Sequence, residues 1–278
     1  MGSGLSHIIF QAPKDPTYTN DGSLIWLQTR LGSIIPACYL DRGAALTVLF
    51  SHGNAEDLGM VMRYWREMVP TINVNVFAYE YTGYGLSRGP SSPSEDHLYS
   101  DVEAAFKYLR DVIGVPWERT VVFGRSLGSG PSVHLASITA VRGLILQSPV
   151  LSIFRVGLRF RYTLPGDSFL NIDKMEYVRC PVYVVHGTDD EIVPLWHGKA
   201  LYELAKHSVT PFWVEGGGHN NLEILAYDQF LFRLKNFLHQ LETLPLDEQL
   251  RDQAVTCPLF SQFSARCSPQ APPSNSRS

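Results

Sequence analysis

Short apolar runs recur along the chain at 46–50, 74–79, 120–123, 143–146, 181–185 and 211–214. Each is continuous rather than alternating, the pattern of strands buried on both faces of a parallel sheet. Longer segments with apolar residues at helical spacing lie between most of them. Leu58, Met62, Trp65 and Met68 mark one helix over 56–69. Leu98, Val102, Ala105, Phe106, Leu109 and Ile113 mark a second, ending at Gly114 and opened by Ser92-Pro93-Ser94-Glu95, which reads as a capping box with proline at the first helical position. Further helices are expected over 127–137, 196–205 and 222–241. Before the first buried run, 24–40 holds two β-rich runs around Gly32-Ser33, an antiparallel hairpin. Strands alternating with helices predict an α/β fold: a mostly parallel twisted sheet with helices on both faces, an N-terminal antiparallel hairpin and no large lid domain.

The rhythm divides the chain into a flexible N-terminus over 1–22, a folded domain over 23–243 and a polar tail over 244–278, where Pro, Ser and Gln dominate and disorder is expected. Residues 150–161 are aromatic and basic (Phe154, Arg155, Arg159, Phe160, Arg161), read first as a connecting helix and loop, second as a flap or a surface meeting lipid headgroups. A net charge of −4 gives no basic footprint, so no nucleic-acid partner is expected. The four cysteines, Cys38, Cys180, Cys257 and Cys267, form no C-x-x-C pair, which argues against a zinc site or disulfide framework and for a cytoplasmic chain. Met1-Gly2-Ser3-Gly4-Leu5-Ser6 fits the pattern for myristoylation on Gly2, or else a flexible start. Gly83-Tyr84-Gly85-Leu86-Ser87-Arg88-Gly89 mimics a dinucleotide loop, but its third glycine comes one residue late and Pro90 follows, so a tight turn and no nucleotide are expected. No cofactor or metal is called for.

Chemistry enters at Val121-Val-Phe-Gly-Arg-Ser-Leu-Gly128: a strand, then Gly124-Arg125-Ser126-Leu127-Gly128, then a helix. That is a G-x-S-x-G nucleophile elbow, which holds a serine on a sharp strand-to-helix turn. Serine needs a base to take its proton and an acid to orient that base. Around such an elbow these follow as acid, then histidine. The run at 181–185 leads into His186-Gly187-Thr188-Asp189-Asp190-Glu191, which offers three acids. The run at 211–214 leads into Glu215-Gly216-Gly217-Gly218-His219, a histidine on a glycine-rich loop free to approach the serine. The other histidines fall in helical patterns, in His-Gly turns or near the terminus. For the oxyanion, one backbone N–H is expected from Leu127 and the other from the turn after the first buried run, at Asn54, with Ala55 next.

Together these segments, with Ser51-His-Gly-Asn-Ala-Glu-Asp-Leu-Gly59 and Tyr79-Glu-Tyr-Thr-Gly-Tyr-Gly85, resemble the α/β-hydrolase domain-containing protein 17 family from about Ile25 to Leu241. The resemblance implies an α/β-hydrolase fold and a serine hydrolase that removes S-palmitoyl groups from membrane-associated proteins. The H-G-x-x-D-x-x-V-P spacing of the superfamily selects Asp190 over Asp189 and Glu191. The expected roles are Ser126 as nucleophile, His219 as base then acid, and Asp190 orienting His219. The relatives carry an N-terminal cysteine cluster that is palmitoylated; this chain has no cysteine before Cys38. Acylation of Gly2, with Cys257 or Cys267 as a second site, would then supply peripheral contact with the cytoplasmic face of a membrane. The same triad would serve an oxygen-ester carboxylesterase, a lipase-like enzyme or a serine peptidase. A non-catalytic binding protein is the alternative from another class.

Overall fold

The computed structural model describes residues 9–90, 92–158, 164–246 and 248–256. Eight strands form one sheet in the order β1-β2-β4-β3-β5-β6-β7-β8. They are β1 (Ile25–Gln28), β2 (Ile34–Leu40), β3 (Thr47–Ser51), β4 (Asn75–Tyr79), β5 (Thr120–Arg125), β6 (Gly143–Gln147), β7 (Val182–Gly187) and β8 (Phe212–Val214). The hairpin β1–β2 is antiparallel, as is the β2–β4 pair; every pairing from β4 to β8 is parallel. Every residue of β3, β4, β6 and β7 is buried, which is why these strands read as unbroken apolar runs.

Helices cover both faces. On one lie α2 (Glu95–Tyr108), α3 (Ser129–Ile138) and α6 (Trp196–Leu204), presenting among others Leu98, Phe106, Val133, Leu135 and Leu201. On the other lie α1 (Leu58–Ile72) and α8 (Tyr227–Thr243), which bury Trp65, Phe230, Leu234, Phe237 and Leu241. Trp65 is fully buried and meets Phe50 and Phe123 edge-on, at 5.1 and 5.8 Å between ring centres, tying α1 to β3 and β5.

Five details differ from the sequence reading. The cap of α2 is Ser94, whose Oγ accepts the His97 N–H, so Pro93 precedes the cap. The helix expected over 222–241 is two, α7 (Leu222–Leu225) and α8. Ala226 leaves helical geometry (φ −130°, ψ 40°), while the Glu223 carboxylate binds the Gln147 amide and holds the first turn against the end of β6.

The segment 9–22 is packed, not free. Phe10 is buried, Thr17 donates its N–H and hydroxyl to Asp57, and Tyr18 donates to Glu80. The polar tail contains α9 (Glu248–Thr256), held by burial of Leu250 in the core and by Gln253, which donates to the carbonyls of Ala136 and Ser137. Residues 257–278 and Gly2 lie outside the described residues. The described part of 150–161 is the connecting helix and loop of the first reading, with α4 at Ile153–Leu158, and against the second reading Arg155 is buried and reaches Ser152 and Asp167. Arg159, Phe160 and Arg161 lie outside the described residues. Helix α5 (Asn171–Lys174) is a single turn. The glycine-rich stretch at 83–89 makes tight turns, then a bridge between Arg88 and Ile34.

One buried carboxyl makes stability depend on pH. Asp101 on α2 accepts the Thr82 N–H and hydroxyl, yet burial pushes its carboxyl up to about 7. Its folded value exceeds the unfolded one, so its contribution is fully present below about pH 4 and is lost as pH rises toward 7. The loss is about 1.4 kcal/mol per pH unit for one group. Asp101→Asn is expected to lack this slope, read as the difference between wild-type and variant urea midpoints at pH 4.5 and 7.5. An unchanged difference would show that Asp101 titrates normally.

Candidate active site

The register of the sheet brings the chemistry together. Ser51 pairs with Gly124, so the turn after β3 lies beside the turn after β5. Gly187 pairs with Val214, so the acid loop after β7 lies beside the histidine loop after β8. All four loops leave the carboxyl ends of parallel strands, where open α/β sheets bind ligands.

At the elbow, β5 passes through a tight turn at Ser126–Gly128 directly into α3. Ser126 has φ +52°, a left-handed conformation that costs a non-glycine residue about 1–3 kcal/mol and persists only where the surroundings enforce it. Enforcement comes from Ser129, whose hydroxyl donates to the Ser126 carbonyl at 2.6 Å and accepts the Val150 N–H at 3.0 Å. It also comes from Gly128, where a Cβ would fall inside the Ser51 and His52 carbonyls. The glycine is thus required by a close backbone approach.

Ser126 Oγ stands 2.9 Å from His219 Nε2, and His219 Nδ1 stands 2.8 Å from Asp190 Oδ2. Asp190 Oδ1 accepts the backbone N–H groups of Ile192 and Val193, at 3.0 and 2.7 Å. Burial pushes the Asp190 carboxyl up, but hydrogen bonds from His186 and His219 outweigh it and hold the group well below the usual carboxylate range. With Asp190 ionised, Nδ1 of His219 carries a proton and Nε2 is free to accept the serine proton. The two rival acids are placed elsewhere. Glu191 accepts the His219 backbone N–H at 3.2 Å, and the exposed Asp189 carboxylate accepts the Thr188 hydroxyl at 3.3 Å.

His186 is a member of the site that the sequence did not expose. Its Nε2 lies 2.7 Å from the Val193 carbonyl and 3.2 Å from Asp190 Oδ2, so it braces both the acid and the loop that carries it. Its position in a His-Gly turn gave no sign of this. Glu56 was also missed: it accepts the Gly53 N–H at 2.7 Å and pairs with Arg125 at 3.2 Å, linking the turn after β3 to the elbow.

Ser126, Leu127, Asn54 and His219 line one cleft of about 560 Å³, inside the range of small-molecule sites. Met60, Val150, Ile153, Val156 and Ile192 supply much of its apolar wall. The expected oxyanion donors, Leu127 and Asn54, line the same cleft as Ser126. Among the described residues, no cluster of three or more His, Cys, Asp or Glu could hold a metal ion, and no helix is long and apolar enough to cross a membrane.

Known proteins resemble this chain in sequence and in fold. The profile of the serine aminopeptidase S33 family matches residues 43–161. Alpha/beta hydrolase domain-containing protein 17C of Xenopus tropicalis is 45% identical over 213 residues, covering 76% of this chain and 67% of that protein. Alpha/beta hydrolase domain-containing protein 17B of Homo sapiens is 44% identical over 198 residues, covering 71% of this chain and 67% of that protein. Among solved structures, an esterase of Pyrococcus furiosus superposes with a TM-score of 0.69 at 18% identity, covering 84% of this chain and 98% of the esterase, a likeness of fold.

Proposed function

The chain belongs to the alpha/beta hydrolase domain-containing protein 17 family and is a serine hydrolase, and from that premise we propose that it cleaves fatty acyl thioesters on cysteine side chains of S-acylated proteins. The observation that carries the reading is the array of Ser126, His219 and Asp190 opening into a cleft whose wall is rich in aliphatic side chains. An alkyl chain laid along Met60, Ile153, Val156 and Ile192 would leave water, and its carbonyl would reach Ser126.

In the proposed reaction His219 Nε2 takes the Ser126 hydroxyl proton as Oγ bonds to the thioester carbonyl carbon. The carbonyl oxygen becomes an oxyanion that accepts from the backbone N–H groups of Leu127 and Asn54. The intermediate collapses, the carbon–sulfur bond breaks, and the leaving sulfur receives the proton from His219. Water then attacks the acyl-serine ester, giving its proton to His219, and the fatty acid leaves as Ser126 recovers its proton. Throughout, Asp190 keeps His219 in the productive tautomer and offsets the imidazolium charge.

The same triad attacks oxygen esters, so substrate comparison is the test. A palmitoyl-cysteine peptide is expected to be turned over with kcat/KM at least about tenfold above a short p-nitrophenyl ester, the small end of what an apolar pocket gives per methylene. Turnover of the short ester without release of thiol from the palmitoyl peptide would reject the thioester reading and favour a carboxylesterase.

Such substrates sit on membranes, and we propose that acylation of Gly2 brings the enzyme to the cytoplasmic face. Stable anchoring takes two signals, here Gly2 together with Cys257 or Cys267, so Gly2→Ala, which leaves at most one, is expected to move most of the protein from the membrane pellet to the supernatant. An unchanged distribution would discard Gly2 as the anchor.

A further inference from the structure

Residues 9–11 run alongside the turn after β3, and the side chain of Asn54 is committed to them. Its Nδ2 donates to the Ile9 carbonyl at 2.7 Å, and its Oδ1 accepts the Gln11 N–H at 2.9 Å. Tyr84 donates its hydroxyl to the same Oδ1 at 2.8 Å. One side-chain amide thus pairs with alternate backbone groups of the segment, as a neighbouring strand would. Between the two bonds, Phe10 turns inward and is buried, its ring edge-on to Phe169 at 6.1 Å between centres. Phe169 in turn fills the space above Gly130, where a Cβ would strike its ring, at the start of α3 and four residues past Ser126. Ile9 and Gln11 line the same cleft as Ser126 and His219.

An oxyanion donor works only if its N–H is already aimed at the developing charge. On one side of Asn54 the turn is fixed by Glu56, which holds the Gly53 N–H. On the other side Ala55 sits in the left-handed region at φ +57°. Asn54 itself is fixed by the bonds of its amide to residues 9–11. We propose that residues 9–11 are a positioning strap of the active site: through the Asn54 amide they hold the Asn54 backbone N–H on the oxyanion, and through Ile9 they form one wall of the acyl cleft. The proposal rests on the serine-hydrolase reading and gives the N-terminal segment a catalytic consequence.

The test uses the full chain and p-nitrophenyl esters from acetate to palmitate, with rates expressed per active site titrated by a fluorophosphonate. Phe10→Ala removes the anchor of the strap far from the reacting atoms. Asn54→Ala removes the amide and keeps the backbone N–H. Both are expected to lower kcat about 10- to 100-fold for every acyl length, acetate included, because the oxyanion is common to all. Ile9→Ala is expected to raise KM for palmitate several-fold more than KM for acetate. Should Phe10→Ala fail to fold, Asn54→Ala, which removes no core side chain, carries the test. Fewer titratable sites with unchanged kcat per site would mean a purely structural contact and would overturn the proposal. A wild type that neither labels at Ser126 nor turns over any ester would instead overturn the hydrolase reading, and the strap with it.

Discussion

Alanine at position 126 is expected to lower kcat for thioester and ester hydrolysis by about 10⁴- to 10⁶-fold while leaving the fold intact. The group removed, Oγ, stands 2.9 Å from His219 Nε2. Without it the base has no proton to take and no acyl-enzyme forms. What survives is the contribution of binding and of the oxyanion donors at Leu127 and Asn54. Stability should change little, because alanine meets the same left-handed backbone, φ +52°, as serine does. The contacts that enforce this conformation, from Ser129 and Gly128, are untouched. Thiol release from a palmitoyl peptide, with thermal unfolding in parallel, checks both halves. A variant retaining more than about a hundredth of the wild-type rate would place the nucleophile elsewhere.

The second large effect is expected from Asp190→Asn, at about 10⁴-fold in kcat with KM nearly unchanged. Asp190 offers only acceptors, and it meets only donors: Ile192 N–H and Val193 N–H on one oxygen, His219 and His186 on the other. An asparagine must turn its NH₂ toward one of these sets. Turned to His219, it forces the proton onto Nε2, where it faces Ser126 and blocks general-base action. Turned to the loop, it opposes two backbone donors and loosens the acid turn. The carboxylate also bears on stability. Its folded pKa lies below the unfolded one, so its contribution is present above the ordinary carboxylate value of about 3.9 and is lost as pH falls through the folded value. The stability advantage of wild type over Asp190→Asn is therefore expected to be constant near neutrality and to shrink below about pH 4. Unfolding midpoints across that range, beside kcat at pH 7, are the measurement. An active Asn variant would mean that His219 is oriented by another group.

The parts of this architecture that were legible in the sequence share one property: their signal is local. Unbroken apolar runs marked the buried strands, and the elbow, the acid loop and the glycine-rich histidine loop each follow one of them directly. Knowing the strand ends was enough to bring Ser126, His219 and the three acids at 189–191 to one edge of the sheet, and the superfamily spacing selected Asp190 among them. The features that were missed depend on tertiary partners. His186 lies on β7 and looks like any residue of a His-Gly turn until the chain folds back and sets Asp190 against its ring. The strap at 9–11 has one buried apolar side chain, Phe10, and otherwise bonds through its backbone to Asn54, which no periodicity records. Helix α9 is polar enough to read as a tail, because its hold on the core is Leu250 together with Gln253 on the carbonyls of α3. The cap at Ser94 and the break at Ala226 are choices between neighbouring residues made by packing, below the resolution of a sequence pattern.

In the proposed reaction a fatty acyl group passes from a cysteine thioester to Ser126. Mixing the enzyme with a palmitoyl-cysteine peptide, quenching in acid within the first turnover and measuring the mass of the proteolytic fragment that carries Ser126 tests this directly. The expected result is a gain of one palmitoyl group on that fragment, absent from Ser126→Ala, with a matching burst of free thiol. Palmitoyl on a different residue, or thiol release by Ser126→Ala at the wild-type rate, would contradict it.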